Sequence, residues 1–304
     1  MKKVLVLQGG GARGLLQLQF LARLEQEEGK KISEMFDLIC GTSVGAINAA
    51  VLSTGVSANE FYPIFKEGLL KIFKPTWWNL GGLFKPKYDR NNFNSMWSKL
   101  LDKRRLLGDT ETDLMITSVD RVDDTNHYFR SWAPQYQDLE MCWAVKASFV
   151  APYYFGQLVD KKRMSIWFDG GVGIANMPID QAYTEAVRRG WLKNEKVTFT
   201  CVGTGINRPK DKKKDFNKLK KQSLKGQISD FMAPADGGLA RKQALQDQVN
   251  RYTILAEEIK NLNFRYIDGY TKGAMDDISD KTLSSHERAG EEMIKLAKQK
   301  KWKW

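Results

Sequence analysis

The sequence predicts an α/β fold: a central, mostly parallel sheet with helices on both faces, followed by a helical C-terminal extension. Three observations carry this. Apolar runs of strand length alternate with helix-length stretches of amphipathic spacing, the pattern of parallel βαβ units. Two of the runs end in glycine-rich turns that open directly into a helix: Gln8-Gly9-Gly10-Gly11-Ala12-Arg13-Gly14 and Gly41-Thr42-Ser43-Val44-Gly45. Beyond residue 207 the strand signal fades, and lysine-rich, helix-patterned sequence takes over.

Taken in order, Val4-Leu5-Val6-Leu7 reads as a first buried strand. Met1-Lys2-Lys3 before it imitates a signal peptide, but the apolar stretch is too short for one and glycines cut it off. Residues 12–28 carry Leu15, Leu18, Leu21, Ala22 and Leu24 at helical spacing. Residues 36–40 form the second strand and 44–54 the second helix. Helical readings at 59–73 and 91–101 flank an aromatic loop broken by Pro and Gly. Strands follow at 113–119, 126–132, 164–168 and 197–202, with helices at 139–147 and 179–190. A long helix at 239–262 and a last one capped at Ser284-Ser285 complete the reading.

The chain has 304 residues, 42% of them hydrophobic and 28% charged, enough for a sizeable core. No apolar run approaches the roughly 20 residues of a membrane span. Cys40, Cys142 and Cys201 lie in apolar stretches without metal spacing, so a reduced, cytoplasmic protein without disulfides, metal or cofactor is expected. The net charge of +12 is concentrated. Residues 207–225 carry nine Lys/Arg against Asp211 and Asp215, and 295–304 carry five lysines and no acid. Such local basic segments fit docking on an anionic membrane surface, at about 1 kcal/mol per cation near it. A solvated loop and a frayed tail are the alternative. A nucleic-acid coat would spread its charge over a face, so no specific nucleic-acid partner is expected.

The chemistry starts at Ser43. Gly-x-Ser-x-Gly between a strand and a helix pushes the serine oxygen out of the sheet edge, beside a helix N-terminus where an oxyanion would form. The earlier turn, Gly9-Gly10-Gly11-Ala12-Arg13-Gly14, presents successive backbone amides. A dinucleotide site fits it poorly, because no strand-end acid follows about 20 residues on. A Walker A loop fails for want of Gly-Lys-Ser/Thr. An oxyanion hole fits, since the two turns lie at the carboxyl ends of adjacent parallel strands and face one crevice. A serine nucleophile needs a base. His127 and His286 sit at no turn after a buried strand and read as ordinary histidines. Asp169 ends the apolar strand Met164-Ser165-Ile166-Trp167-Phe168, before Gly170-Gly171, where a partly buried carboxylate can take the Ser43 proton. Asp236-Gly237-Gly238 repeats those letters without a preceding strand and reads as a helix-start turn.

Four blocks, in order, resemble the bacterial patatin-like phospholipase family: Gly9–Gly14, Gly41–Gly45, Ala147-Ser148-Phe149-Val150-Ala151-Pro152-Tyr153-Tyr154-Phe155, and Asp169-Gly170-Gly171. Val202-Gly203-Thr204-Gly205 is similar to a further strand end of that family. The resemblance covers about 1–206 and implies a patatin-like three-layer α/β/α sandwich. It also implies a Ser43–Asp169 dyad without histidine, and an oxyanion hole from Gly9, Gly10, Gly11, Arg13 and Gly14, with Gly41, Gly45, Gly170 and Gly171 supporting the turns. Arg13 braces that loop or meets a phosphate.

Residues 1–206 are therefore expected to form the catalytic domain, and 207–304 a basic, largely helical region packed on it or capping it. The expected activity is acyl-ester hydrolysis of phospholipids through an acyl-enzyme, in the cytoplasm and peripherally on membrane. The alternatives are an acyltransferase or general carboxylesterase on the same scaffold, or a nucleotide- or nucleic-acid-binding protein. An activator or anionic ligand, a cyclic nucleotide in antiphage defence for example, is expected at the basic C-terminal region, and an oligomer is compatible with the sequence. Residues 71–88 mix Phe73, Trp77, Trp78, Leu80, Leu83 and Phe84 with lysines, the composition of an interfacial lid or of a packed loop. Lys300-Lys301-Trp302-Lys303-Trp304 is expected to be exposed and to touch lipid.

Overall fold

In the computed structural model, which describes residues 1–75, 86–172, 175–207, 221–223 and 239–304, the first strand is buried on both faces. Val4 and Val6 of β1 (Lys2–Leu7) enter one core; Leu5 and Leu7 enter the other. A strand side chain alternates between faces, so double burial writes an unbroken apolar run. The sheet runs β5 (Leu158–Asp160), β6 (Ser165–Asp169), β3 (Asp113–Asp120), β2 (Leu38–Gly41), β1, β7 (Val197–Val202), β9 (Leu262–Ile267), with β4 (Thr125–Arg130) paired to β3. The central five strands, β3 to β9, are parallel; β4, β5 and β6 pair antiparallel.

One core joins the sheet to α1 (Gly14–Glu28), α3 (Val44–Ser53), α4 (Ala58–Ile72), α7 (Met141–Phe149) and the last helix, α11 (Asp280–Gln299). The other core holds α8 (Ile179–Arg188) and part of α10 (Leu239–Glu258). This is the expected three-layer α/β/α sandwich. Short helices α2 (Ile32–Met35), α5 (Asn92–Trp97), α6 (Pro134–Gln137) and α9 (Trp191–Asn194) fill the connections. A small parallel ladder of β8 (Ile206–Asn207) and β10 (Tyr270–Thr271) lies apart.

Several expectations need correcting. The helix expected at 239–262 stops at Glu258, and Leu262-Asn263-Phe264-Arg265-Tyr266 alternates apolar and polar residues, a strand signal inside the helical reading. β9 joins the main sheet beside β7, so the chain beyond 206 supplies a strand as well as helices. The last helix starts at Asp280, a turn before Ser284-Ser285. Asp277 sets that start, accepting from the Ser279 amide at 3.0 Å and the Thr282 hydroxyl at 2.7 Å. The tail lysines are exposed as expected, but its two indoles are only half-exposed. Trp304 packs edge-on against Phe20 at 5.9 Å, and Arg265 lies over the Trp302 and Trp304 rings at 5.4 and 5.6 Å. Arg265 also donates to the Lys303 carbonyl at 2.9 Å, so cation–π contacts and packing hold both indoles down. Trp77, Trp78, Leu80, Leu83 and Phe84 lie outside the described residues, as do Asp236-Gly237-Gly238 and most of 207–225. Phe73, at the near end of the aromatic loop, is buried.

Candidate active site

The β2–α3 turn forces Ser43 into φ 55°, ψ −123°, a conformation that L-residues with a side chain rarely adopt. Its geometry rests on close backbone approach at both glycines. A Cβ on Gly41 would sit 2.2 Å from the Gly45 carbonyl oxygen, and one on Gly45 would sit 2.3 Å from that of Leu7. Thr42 anchors the turn from below, its hydroxyl 2.7 Å from that of Thr117 and 2.5 Å from the Ala175 carbonyl oxygen.

Asp169 reaches the same place by a different route. The first half of one edge of β3 pairs with β2, with Gly41 opposite Ile116. Residues 118–120 pair with β4 and also with β6, which places β6 on the β2 side, and Ser118 is opposite Asp169. Since β6 runs antiparallel, its C-terminal end meets the C-terminal end of β2 nearly head-on across Thr117. The end of α7 ties the two turns together. Ser148 accepts the Ser43 amide on its hydroxyl oxygen at 2.9 Å and the Gly170 amide on its carbonyl at 3.3 Å; the Val150 carbonyl accepts the Asp169 amide at 3.1 Å. The Asp169 Oδ1 takes the Gly171 amide at 2.7 Å, and the side chain is 6% exposed.

Ser43 and Asp169 line one cavity of about 240 Å³. Gly9, Gly10, Gly11 and Asn176 share its polar side; Phe73, Phe149, Tyr154 and Phe155 are among its apolar walls. A smaller apolar cleft of about 30 Å³ shares Gly11, Ser43 and Phe149 with it and continues to Ile47, Phe65, Leu69 and Ile72. The glycine loop divides its amides by task. Gly9 donates to the Asn176 carbonyl at 2.9 Å, Arg13 to that of Gly10 at 3.2 Å, and Gly14 to those of Gly11 and Ala12. Among the described residues the Gly10 and Gly11 amides have no backbone acceptor. Arg13 is buried and turns away from the cavity, donating from Nη2 to the Gly273 carbonyl at 2.6 Å. Neither His127 nor His286 lines the cavity. His127 packs edge-on against Trp167, and buried His286 shares a hydrogen bond with the Thr271 hydroxyl.

A model of the patatin-like phospholipase family matches residues 5–183, more than half of the chain. The chain belongs to that family. A cGAMP-activated phospholipase from Escherichia coli is 33% identical over 193 residues, 58% of this chain and 53% of that protein. Patatin-like protein 4 of Arabidopsis thaliana is 28% identical over 239 residues, 66% of this chain and 59% of that protein. The chain thus spans little more than half the length of these curated relatives. Among solved structures, VipD from Legionella pneumophila aligns with 98% of this chain and 67% of its own at 13% identity, with a TM-score of 0.49.

Beyond the motif residues, the patatin-like site takes in positions that the sequence reading did not assign. Asn176 holds the Gly9 amide, and its Oδ1 is the atom nearest to a Cβ built on either Gly9 or Gly171. Thr204 donates its hydroxyl to the Gly9 carbonyl at 3.1 Å, and Gln17 holds the Gln8 and Val202 carbonyls together. Met275 accepts the Ala12 amide at 2.7 Å, and Met275 and Asp276 line the cavity. Ser148 and Thr204 fall inside quoted family blocks, which is a signal of sorts. Asn176 and Met275 carry none, because only the folded chain brings them to the glycine loop. Behind that loop, burial pushes the Asp268 carboxyl up to about 6, against the opposing pull of the Tyr266 hydroxyl, two amides and Arg13. Burial and Arg13 push His286 down to about 4. No helix among the described residues is long and apolar enough to cross a membrane.

Proposed function

We propose that this chain is a lipid acyl hydrolase of phospholipase A type, working through a Ser43–Asp169 dyad. The observation that carries the reading is the shared cavity: Ser43, Asp169, Gly10 and Gly11 line one apolar-walled space, and among the described residues the two glycine amides have no backbone acceptor. Ser43 Oγ attacks the ester carbonyl and Asp169 takes its proton. The Gly10 and Gly11 amides stabilise the oxyanion, and a donor of this kind is worth about 3 kcal/mol of barrier. Collapse returns the proton to the leaving lysolipid alcohol and leaves an acyl-enzyme. Water, deprotonated by Asp169, then attacks the acyl carbonyl, and Asp169 returns that proton to Ser43 Oγ as the fatty acid leaves. The apolar cleft past Ile47 and Leu69 suits the first carbons of an acyl chain, while the wider cavity suits the remainder of the ester. Met275 and Asp276 in the wall make the region beyond 206 part of the working site.

The substrate is read as a phospholipid taken from a membrane surface, with the protein peripheral to it. Similarity to the Escherichia coli cGAMP-activated phospholipase supports activation by a soluble nucleotide. The test is a fluorophosphonate probe together with phosphatidylglycerol vesicles. The probe should label the protein but not Ser43→Ala, and fatty-acid release should fall about 10³-fold or more in both Ser43→Ala and Asp169→Asn. Near-normal turnover in Asp169→Asn would remove the dyad.

A further inference from the structure

On the far side of the glycine loop lies a second cavity, of about 540 Å³, between the strap Tyr270–Gly273 and the first three turns of α11. Its wall is unlike that of the first. Lys272, Lys281 and Arg288 line it, and among the described residues none of the three makes an ion pair. Ser279, Thr282 and Ser285 add hydroxyls, and the half-exposed Tyr270 ring adds a flat apolar surface. Two acids are present. Asp277 is committed to the turn, holding the Ser279 amide and the Thr282 hydroxyl, which leaves Glu292 as the one acid that the turn does not engage. The volume lies within the roughly 300–1,000 Å³ of small-molecule sites.

The strap connects this cavity to the catalytic one. Lys272 and Gly273 face the second cavity; Met275 and Asp276 face the first. The Gly273 carbonyl accepts Arg13 at 2.6 Å, and the Met275 carbonyl accepts the Ala12 amide at 2.7 Å. These two bonds clamp the residues that follow Gly10 and Gly11. A ligand bridging Lys272 on the strap and Arg288 on α11 would therefore fix the position of the oxyanion donors. We propose that this cavity binds a phosphodiester, recognised by Lys272, Lys281 and Arg288, and that its occupancy orders the glycine loop. The inference locates the regulation of the hydrolase proposed above and rests on that reading for its effect on turnover.

Cyclic GMP–AMP and monomeric dihexanoyl phosphatidylglycerol, titrated separately into full-length Ser43→Ala by calorimetry, test the site without hydrolysis. At least one should bind, and which one tells a soluble ligand from a lipid headgroup. Lys272→Ala and Arg288→Ala should each weaken it about tenfold, Arg288→Lys should keep most of it, and Lys295→Ala, an exposed lysine outside the cavity, should not change it. Hydrogen exchange across residues 8–14 should slow on binding. Binding by neither compound, or binding indifferent to Lys272 and Arg288, overturns the site. Arg288-dependent binding with unchanged exchange at 8–14 overturns the coupling. A wild-type protein that binds and orders its loop yet releases no fatty acid refutes the hydrolase reading instead.

Discussion

At the scale of single residues, Ser43, the proposed nucleophile, sits in a strained backbone conformation. A non-glycine residue at φ 55°, ψ −123° costs on the order of 1–3 kcal/mol, held in place by the surrounding turn. Ser43→Gly relieves that strain while removing the nucleophile. It should raise the thermal midpoint by up to about 3 °C in a calorimetric scan and abolish probe labelling. A lowered midpoint would mean that the turn is not strained at this residue. Ser148 is the opposite case, a buried side chain that touches no reacting atom yet accepts the Ser43 amide. Ser148→Ala should lower kcat about tenfold with little change in KM, because it removes the hydroxyl that holds the Ser43 amide and loosens the nucleophile turn. A change confined to KM would instead place Ser148 in substrate binding.

At the scale of elements, the nearness of Ser43 and Asp169 depends on an antiparallel insertion. A wholly parallel sheet brings adjacent strand ends to one edge, which explains Ser43 beside the glycine loop. Asp169 arrives because β6 turns back along β3 and ends against β2. Helix α4 makes the other contribution, walling the narrow cleft with Phe65, Leu69 and Ile72. Leu69→Trp fills that cleft and should shift selectivity from long-chain to short-chain esters by about tenfold in kcat/KM, read with nitrophenyl esters of graded length. Unchanged selectivity would mean that the acyl chain lies elsewhere.

At the scale of the whole molecule, the C-terminal region is built into the main sheet and its helical cover. β9 extends the sheet, α11 packs on α1, and the strap supplies cavity wall. Its buried ionisable groups leave a pH signature. Asp268, raised to about 6, is a carboxyl whose folded state holds its proton more tightly than the unfolded chain, so its contribution to stability falls as pH rises from about 4 to 6. His286, lowered to about 4, does the reverse, and its contribution rises with pH between about 4 and 6.5. The two oppose one another in the same window. Asp268→Asn should therefore gain stability relative to wild type as pH rises from 4 to 6, measured as the difference in urea midpoint; a flat difference would mean that Asp268 is not raised.

Much of this molecule is written locally. The alternation of strand and helix, both glycine turns, Ser43 at a strand-to-helix elbow and Asp169 at a strand end all follow from short stretches of sequence, because turn chemistry and side-chain periodicity act over a few residues. Even β9 was legible in Leu262–Tyr266, masked only by the helical pattern before it. Tertiary structure alone decided the direction of β6, the packing of the half-buried Trp302 and Trp304 against Arg265, and the gathering of Ser148, Asn176 and Met275 at the site. Those outcomes depend on which strand pairs with which and on what a side chain finds across a long loop, and no local pattern carries that information. The sequence by itself determined which residues could do the chemistry; long-range pairing and packing decided which amides of the glycine loop are held and which find no backbone acceptor among the described residues.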